Sequence, residues 1–563
     1  MSKVFGVRTW LVLVLALLFG LGFGLNYGSS NQVQYLLPSV RALHPSLWTR
    51  DFVVTQTYNY HPVYPLLGTL LLRFCPSGLA IAWANVVLIA VGMLAVYVVL
   101  RLLLNQERAL PAFCIVLVLA SVTRTNAPGL SYAFSEIFQP STLGSVGMLA
   151  AAAAFIADRP LVSGLCLAVA GLFHVNYLVL GLCVFGIAWL LGGREGLLPR
   201  LLAGLGPPLV VLLFFLPFLL AGGGAGASAE ARRFLLDVRS PHHYRVPGFA
   251  WDFAFWGGQQ CLAVATLLAP ARRGLRCQRR ILRLLFGFWA LMVPAALLSS
   301  VVVVPVVKQL FAWRVSAEAE LLAQAALAAA LVGLYCDGRA ALTDFDRPAR
   351  ALATIGLGAL VLGSLVTGKW NLTLAVLCFL LVAFAIEKGV LGARVAERGL
   401  SLGRASGALL ITLVAVNVAR FSRLGRYSNE LSGGEPGLTE LCRWVIDHTP
   451  EDALFLTPPV EDDLRFNCRR AIVVDWKWVP ALPSEIVSWR HRLEDVTGRT
   501  PFRSVGDLAG YDQLDRDRVA LLQRRYGIDY VVVERGHELD LGVQPEFSGR
   551  RFTVYALAPT AAR

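Results

Sequence analysis

Charge is what this 563-residue chain has least of: 16% of its residues are Asp, Glu, Lys or Arg, against about 25% in soluble domains, while 56% are hydrophobic. That deficit excludes a wholly soluble protein and makes the bilayer its main solvent. Metal-ligand spacing is missing as well. Ten Cys are present without a C-x-x-C pair, and Cys75, Cys114, Cys166, Cys183, Cys261 and Cys378 lie in or beside apolar runs as core filler. With no P-loop and no G-x-G-x-x-G fingerprint, no nucleotide is assigned. A single basic face is absent too: the formal charge of +14 comes from Arg and Lys in short gaps between apolar runs, which excludes nucleic acid as a partner. The N-terminus, with Lys3 and Arg8 before an apolar run from residue 10 to about 23, lacks a small-x-small cleavage site in Asn26-Tyr27-Gly28-Ser29-Ser30. It is therefore taken as a first membrane helix and not as a signal peptide.

What is abundant is long apolar runs. They recur at about 10–26, 79–103, 110–122, 141–157, 161–173, 175–192, 200–221, 251–269, 281–303, 310–335, 351–367, 371–387 and 405–420, giving about thirteen candidate spans. Several, notably 110–122 and 161–173, fall short of the roughly 20 residues of a full crossing, so they are tilted, broken or extended by polar residues. With the N-terminus cytoplasmic, the inside loops collect Arg101, Arg108, Arg159, Arg194, Arg200, the cluster from Arg272 to Arg280, and Arg339 to Arg404, as the positive-inside rule requires. Two long loops, 27–78 and 222–250, and residues 425–563 then lie outside, in a periplasm-like space. Both loops carry aromatic residues suited to an interface, and Val63 to Phe74 reads as an interfacial helix.

The tail changes period. A helical stripe at Leu438, Leu441, Cys442, Val445 and Ile446, short strands at 453–456, 471–474 and 530–533, and helices at 484–493 and from about Asp515 to Gly527 predict a small α/β domain. Cys442 and Cys468 are its two Cys, and an oxidising compartment would let them pair. The expected fold class is a mainly α polytopic membrane protein, with domains at 1–424 and 425–563, the second of them soluble and α/β.

An ionisable group near hydrocarbon is a functional hypothesis by default. Asp51, in Trp48-Thr49-Arg50-Asp51-Phe52, is the candidate general base, or else a loop Asp that pairs with Arg50 or caps a turn. Glu136, flanked by apolar residues, is a second buried acid, or else a cap for the helix after Pro140. The stretch Arg239 to Pro247 holds His242, His243 and Arg245, which either bind phosphate oxygens or lend a His to a divalent metal alongside Asp51. Four ligands of known spacing are missing, so no metal site is assigned and the cofactor stays unknown, a divalent ion being one option. His174 lies between two runs at their outside end, as a candidate substrate contact or a plain helix-junction residue. Lys308 and Arg314 begin the tenth span, where an arginine either snorkels or meets a lipid phosphate.

One membrane helix, a long outside loop with an early acid at Asp51, and His61-Pro62-Val63-Tyr64 before an amphipathic segment together resemble the start of the GT-C superfamily of membrane glycosyltransferases. The tail, through Thr449-Pro450-Glu451-Asp452-Ala453 and Ile472-Val473-Val474-Asp475-Trp476-Lys477, is similar to the tails of uncharacterised bacterial GT-C-like proteins. The resemblance implies an inverting transfer of a sugar from a polyprenyl-phosphate-linked donor to a glycan, lipid or protein acceptor on the outer face. Asp51 is the position matching the family's acid, although many members carry paired acids there and this chain has Arg50 as the neighbour. Asp51 and Glu136 are then the catalytic candidates, and His61, His174, His242, His243, Arg245, Lys308 and Arg314 the substrate-binding ones. Two other classes compete: a transporter or flippase, disfavoured by the lack of repeated halves, and a non-catalytic glycan assembly protein whose Trp476, Trp478 and Trp489 either stack on sugars or fill the tail's core.

Overall fold

Apolar residues on every side of a segment leave it no stable state in lipid except a helix, because only a helix satisfies its own backbone groups. The computed structural model, which describes residues 2–59, 61–123, 127–220, 225–268, 277–300, 310–337, 347–368 and 435–558, follows that rule. Each apolar run within those residues is helical: Ser2–Leu21, Leu79–Leu103, Gln106–Thr123, Pro140–Ile156, Pro160–Phe173, Val175–Leu190, Leu197–Leu220, Ala250–Leu268, Gln278–Ser300, Ser316–Asp337 and Arg347–Thr367. Among the described residues, five segments are long and apolar enough to cross a membrane, namely Leu79–Leu103, Leu197–Pro217, Gln278–Ser300, Ala312–Gly333 and Pro348–Thr367, with shorter apolar helices beside them. The runs at 371–387 and 405–420 and the domain boundary near 424 lie outside the described residues.

The bundle wears its hydrophobic groups on both sides. Leu213, Phe214 and Val210 are 65%, 61% and 67% exposed, and Leu161, Leu165 and Val169 about half exposed, a surface only lipid tolerates. Inside, backbones meet at small residues. A Cβ on Gly164 would stand 2.6 Å from the Gly204 carbonyl oxygen, and one on Gly258 2.7 Å from that of Gly356, so these helix pairs approach as closely as glycine allows.

The tail is a five-stranded mixed sheet in the order β2-β1-β3-β5-β4, with β1 Leu454–Leu456, β2 Ala471–Ile472, β3 Tyr530–Glu534, β4 Phe547–Ser548 and β5 Phe552–Ala556. β1 runs parallel to β2 and β3, while β5 runs antiparallel to β3 and β4. Helices Pro436–His448, Pro483–Thr497 and Arg516–Tyr526 accompany the sheet, and Cys442 and Cys468 are joined in a disulfide. Trp489 is fully buried and stacks on Trp476 at 5.7 Å, so these rings belong to the core and not to a sugar platform.

The tail does not hang from the bundle as a separate body. Trp48, Phe52 and Tyr64 of the first long loop and Phe234 of the second share one apolar core with Trp489, Phe502 and Val531 of the tail. Helix Tyr64–Phe74, expected to be interfacial, is amphipathic. Tyr64, Gly68 and Leu72 face inward, while Leu66, Leu70 and Phe74, at the same four-residue spacing, are 71%, 52% and 80% exposed.

Candidate functional site

Helix Ser316–Asp337 carries Glu318 and Glu320 in its first two turns, at the start of a mainly apolar span, and both are buried. Each has polar company. Tyr177 Oη donates to Glu318 Oε1 at 3.1 Å, while Glu320 Oε1 accepts from Gln259 Nε2 at 3.2 Å and Gln324 Nε2 at 3.3 Å.

Glu320 and Gln324 line a cavity of about 450 Å³. Phe19, Phe23, Phe134 and Leu321 give it an apolar wall; Asn26, Ser29, Ser30, Tyr132 and Glu136 give it a polar one. The cavity exists because the chain from 127 to 139 is irregular backbone packed against helices, with a single bridge between Ala127 and Ser131 and Gly129 at φ +69°. A Cβ on Gly129 would lie 2.4 Å from the Trp313 ring, so glycine is required by both conformation and space. Irregular backbone packed among helices is tolerated where it lines a cavity.

A cationic and imidazole cluster lies behind this wall. His61 and His174 face each other with ring centroids 5.0 Å apart, and His174 lies 5.4 Å from Tyr177. The Arg314 guanidinium stacks 4.8 Å over Phe311, whose ring is 5.2 Å from His243. Arg314 interacts electrostatically with His61, His243 and Glu318, and its buried Nε has no hydrogen-bond partner among the described residues. Burial lowers the His61 pKa to about 3 and that of His243 to about 4, with the Arg314 charge acting the same way, so both imidazoles are neutral near pH 7. His243 Nδ1 is 2.9 Å from the Gly129 carbonyl, which can only accept; the ring proton is therefore on Nδ1.

The expected base is elsewhere. Asp51 has no exposed surface: its Oδ1 accepts from Val53 N at 3.0 Å and Val54 N at 3.2 Å, and its Oδ2 from Arg465 Nε at 2.8 Å and Ile472 N at 3.0 Å. Arg465 also holds Asp475, and its carbonyl accepts from Trp48 Nε1 at 2.9 Å. The general-base expectation for Asp51 is corrected on this geometry, since a carboxylate with four donors and no exposed surface cannot take a proton from an acceptor. It caps helix Phe52–Gln56 and clamps the first long loop to the tail. Arg50, expected beside it, pairs instead with Asp529 and the Gly527 carbonyl.

The remaining candidates divide. The expected burial of Glu136 is corrected: only its flanks Ile137 and Phe138 are buried, its own side chain is exposed where it lines the cavity, and the residue at the N-cap of helix Pro140–Ile156 is Gln139. His61, His174, His243 and Arg314 are brought together. His242 is exposed with its ring 4.2 Å from that of His243, and Arg245 is exposed just past the short helix Pro241–Tyr244. Lys308 lies outside the described residues. Among the described residues no group of three His, Cys, Asp or Glu is placed to hold a metal ion.

Comparison with known proteins gives three findings. Residues 437–496 match a family model described as a domain of unknown function, DUF6798. No curated protein matches the chain. The structure is similar to the crystal structure of ArnT from Cupriavidus metallidurans bound to undecaprenyl phosphate, with a TM-score of 0.47 and 14% sequence identity over 98% of each chain.

Glu318, Glu320, Gln324, Tyr132 and Tyr177 are the residues that reading the sequence missed. A signal for the acids was present: two carboxylates two residues apart inside an apolar span are expensive in lipid and mark a protein-lined or wet interior. The tyrosines carried no comparable mark.

Proposed function

We propose that this chain transfers a sugar from a polyprenyl-phosphate-linked donor to an acceptor hydroxyl at the outer face of a bacterial plasma membrane, with inversion at the sugar carbon, and that the cavity beside Glu320 is where this happens. The observation that carries the reading is a cavity with one apolar and one polar wall, lined by the carboxylates of Glu136 and Glu320, in a bundle whose surface is lipid-compatible. A sugar headgroup with an isoprenoid tail needs both walls. Glu320, oriented by the amides of Gln259 and Gln324, is the general base that takes the acceptor proton. Glu136, at the exposed rim, positions the acceptor. The departing phosphate needs positive charge, and Arg314, half-buried in the cluster behind the cavity wall with its Nε buried and without a hydrogen-bond partner among the described residues, is assigned to it. The neutral imidazoles of His61, His174 and His243 add hydrogen-bonding capacity without further charge.

The test uses the purified full chain in lipid nanodiscs with radiolabelled polyprenyl-phosphate sugars and an extract of cell-envelope acceptors. Release of polyprenyl phosphate is the expected result, falling at least about a hundredfold in Glu320→Gln with the unfolding midpoint retained. A Glu320→Gln protein that still turns over at the parental rate rejects this assignment. Movement of intact label across liposomes without bond cleavage would favour a transporter, for which buried acids in a span are equally suited.

A further inference from the structure

Helix Pro140–Ile156 begins at the cavity just described and ends, about 25 Å away at 1.5 Å per residue, at a second one. That second cavity, of about 670 Å³, is lined by Arg200, Arg279, Arg280, Arg283 and Asp158 over a floor that includes Phe155 and Trp189. Four guanidiniums against one carboxylate is a large imbalance for one enclosure. Asp158 cannot neutralise it, being engaged by Arg280 Nη2 at 2.8 Å and approached by Arg200 Nη2 at 3.7 Å. Arg280 is held further by donation from Nη1 to the Ile156 carbonyl at 2.9 Å. Arg279 and Arg283 have no ion-pair partner among the described residues.

Topology alone accounts for arginines in these loops, since positive charge on one side sets orientation. It does not account for their gathering around a hollow. Three of them also lie within the first six residues of helix Gln278–Ser300, where the helix macrodipole is positive and no acidic residue stands in the first turn. Like charges are thus concentrated where the backbone already disfavours them. An anion in the hollow offsets these repulsions, because it is attracted by each guanidinium and by the helix N-terminus. The surroundings indicate what the anion is attached to. Leu190, which follows the cavity residue Trp189, and Leu198 and Leu202, which lie on the face opposite Arg200 of the same helix, are 60%, 65% and 64% exposed, so the helices that bring these residues to the cavity also present a surface suited to lipid.

We infer that this cavity binds the phosphoryl group of a net-anionic membrane lipid, at the end of the bundle opposite the sugar-transfer cavity. Arg280 and Arg200, oriented by Asp158, form the preset half of the site, and Arg279 and Arg283 close on the phosphoryl oxygens. The inference is independent of the reading of the first cavity.

The test titrates the purified full chain in non-ionic detergent with phosphatidylglycerol, phosphatidylcholine and inorganic phosphate, reading lipid retention by native mass spectrometry and the unfolding midpoint. Phosphatidylglycerol is expected to bind at least about tenfold more tightly than phosphatidylcholine, and the double variant Arg279→Gln/Arg283→Gln to lose that preference about tenfold. Its lipid-free midpoint should match the parent's; if the double variant does not fold, Arg283→Gln alone should lose a measurable part of the preference. Equal retention of the two lipids, or an unchanged preference in the folded variants, overturns the inference. A midpoint shift with inorganic phosphate equal to that with phosphatidylglycerol assigns the hollow to soluble phosphate and overturns its lipid part.

Discussion

Two carboxylates exchange places between sequence and structure. Asp51 has the position of a catalytic acid along the chain, yet its oxygens are spent on two cap donors, Arg465 and Ile472 N. Nothing near Asp51 in sequence announces this, because Arg465 is 414 residues away. The consequence is a stability phenotype. Asp51→Asn leaves the Arg465 guanidinium with one carboxylate, Asp475, in a site where Arg465 is about 2% exposed. Breaking a buried pair of this kind costs about 3–5 kcal/mol, so the unfolding midpoint of the variant should fall by several degrees while turnover per folded molecule survives. Loss of turnover at an unchanged midpoint would return the base role to Asp51. The opposite pattern is expected for Glu320. His61 and His174 were legible as residues outside the spans, but their convergence with Arg314 was not, since it depends on how three separate helix junctions meet.

At the scale of elements, the sequence was most readable where one physical force decides. Runs without charge had to become helices, and Leu79–Leu103 has the bounds its hydropathy predicts. The Gly527 cap and the β-branched strand that follows it were equally plain: Gly527 takes φ +72° and strand Tyr530–Glu534 lies at the centre of the sheet. Pairings are a different matter, because they depend on partners the local pattern does not name. The short β2 and the irregular 127–139 segment are fixed by contacts with distant elements, and that segment is what opens the candidate site. The disulfide tests one such pairing. Cys442 and Cys468 tie helix Pro436–His448 to the chain ahead of β2 across a separation of 26 residues, which in the chain-entropy account stabilises the tail by about 3.5 kcal/mol. Cys442→Ser, or a reductant that reaches the tail, should lower the tail's unfolding midpoint accordingly. An identical midpoint with and without reductant would show that the two thiols are not joined in the protein as purified.

For the whole molecule, the governing fact is that bundle, loops and tail share interfaces, so protonation at a junction is felt by the assembly. His61 and His243 lie at such junctions and have pKa values lowered to about 3 and about 4, by burial first and by the Arg314 charge in addition. The unfolded chain holds these imidazoles at the ordinary value of about 6.5. Because the folded values are depressed, the native state binds fewer protons than the unfolded one between the two. Stability from this source is complete above about pH 6.5 and is lost as pH falls toward about 4 for His243 and about 3 for His61, at up to about 1.4 kcal/mol per pH unit for each ring. The unfolding midpoint of the full chain should therefore decline steeply from about pH 6 to about pH 4. His243→Gln, whose amide can still donate to the Gly129 carbonyl, should flatten that decline while leaving the midpoint at about pH 7.5 nearly unchanged. A profile of the same slope in parent and variant would mean that His243 titrates freely, and with that the packing of Phe311, Arg314 and the second loop around it would have to be different.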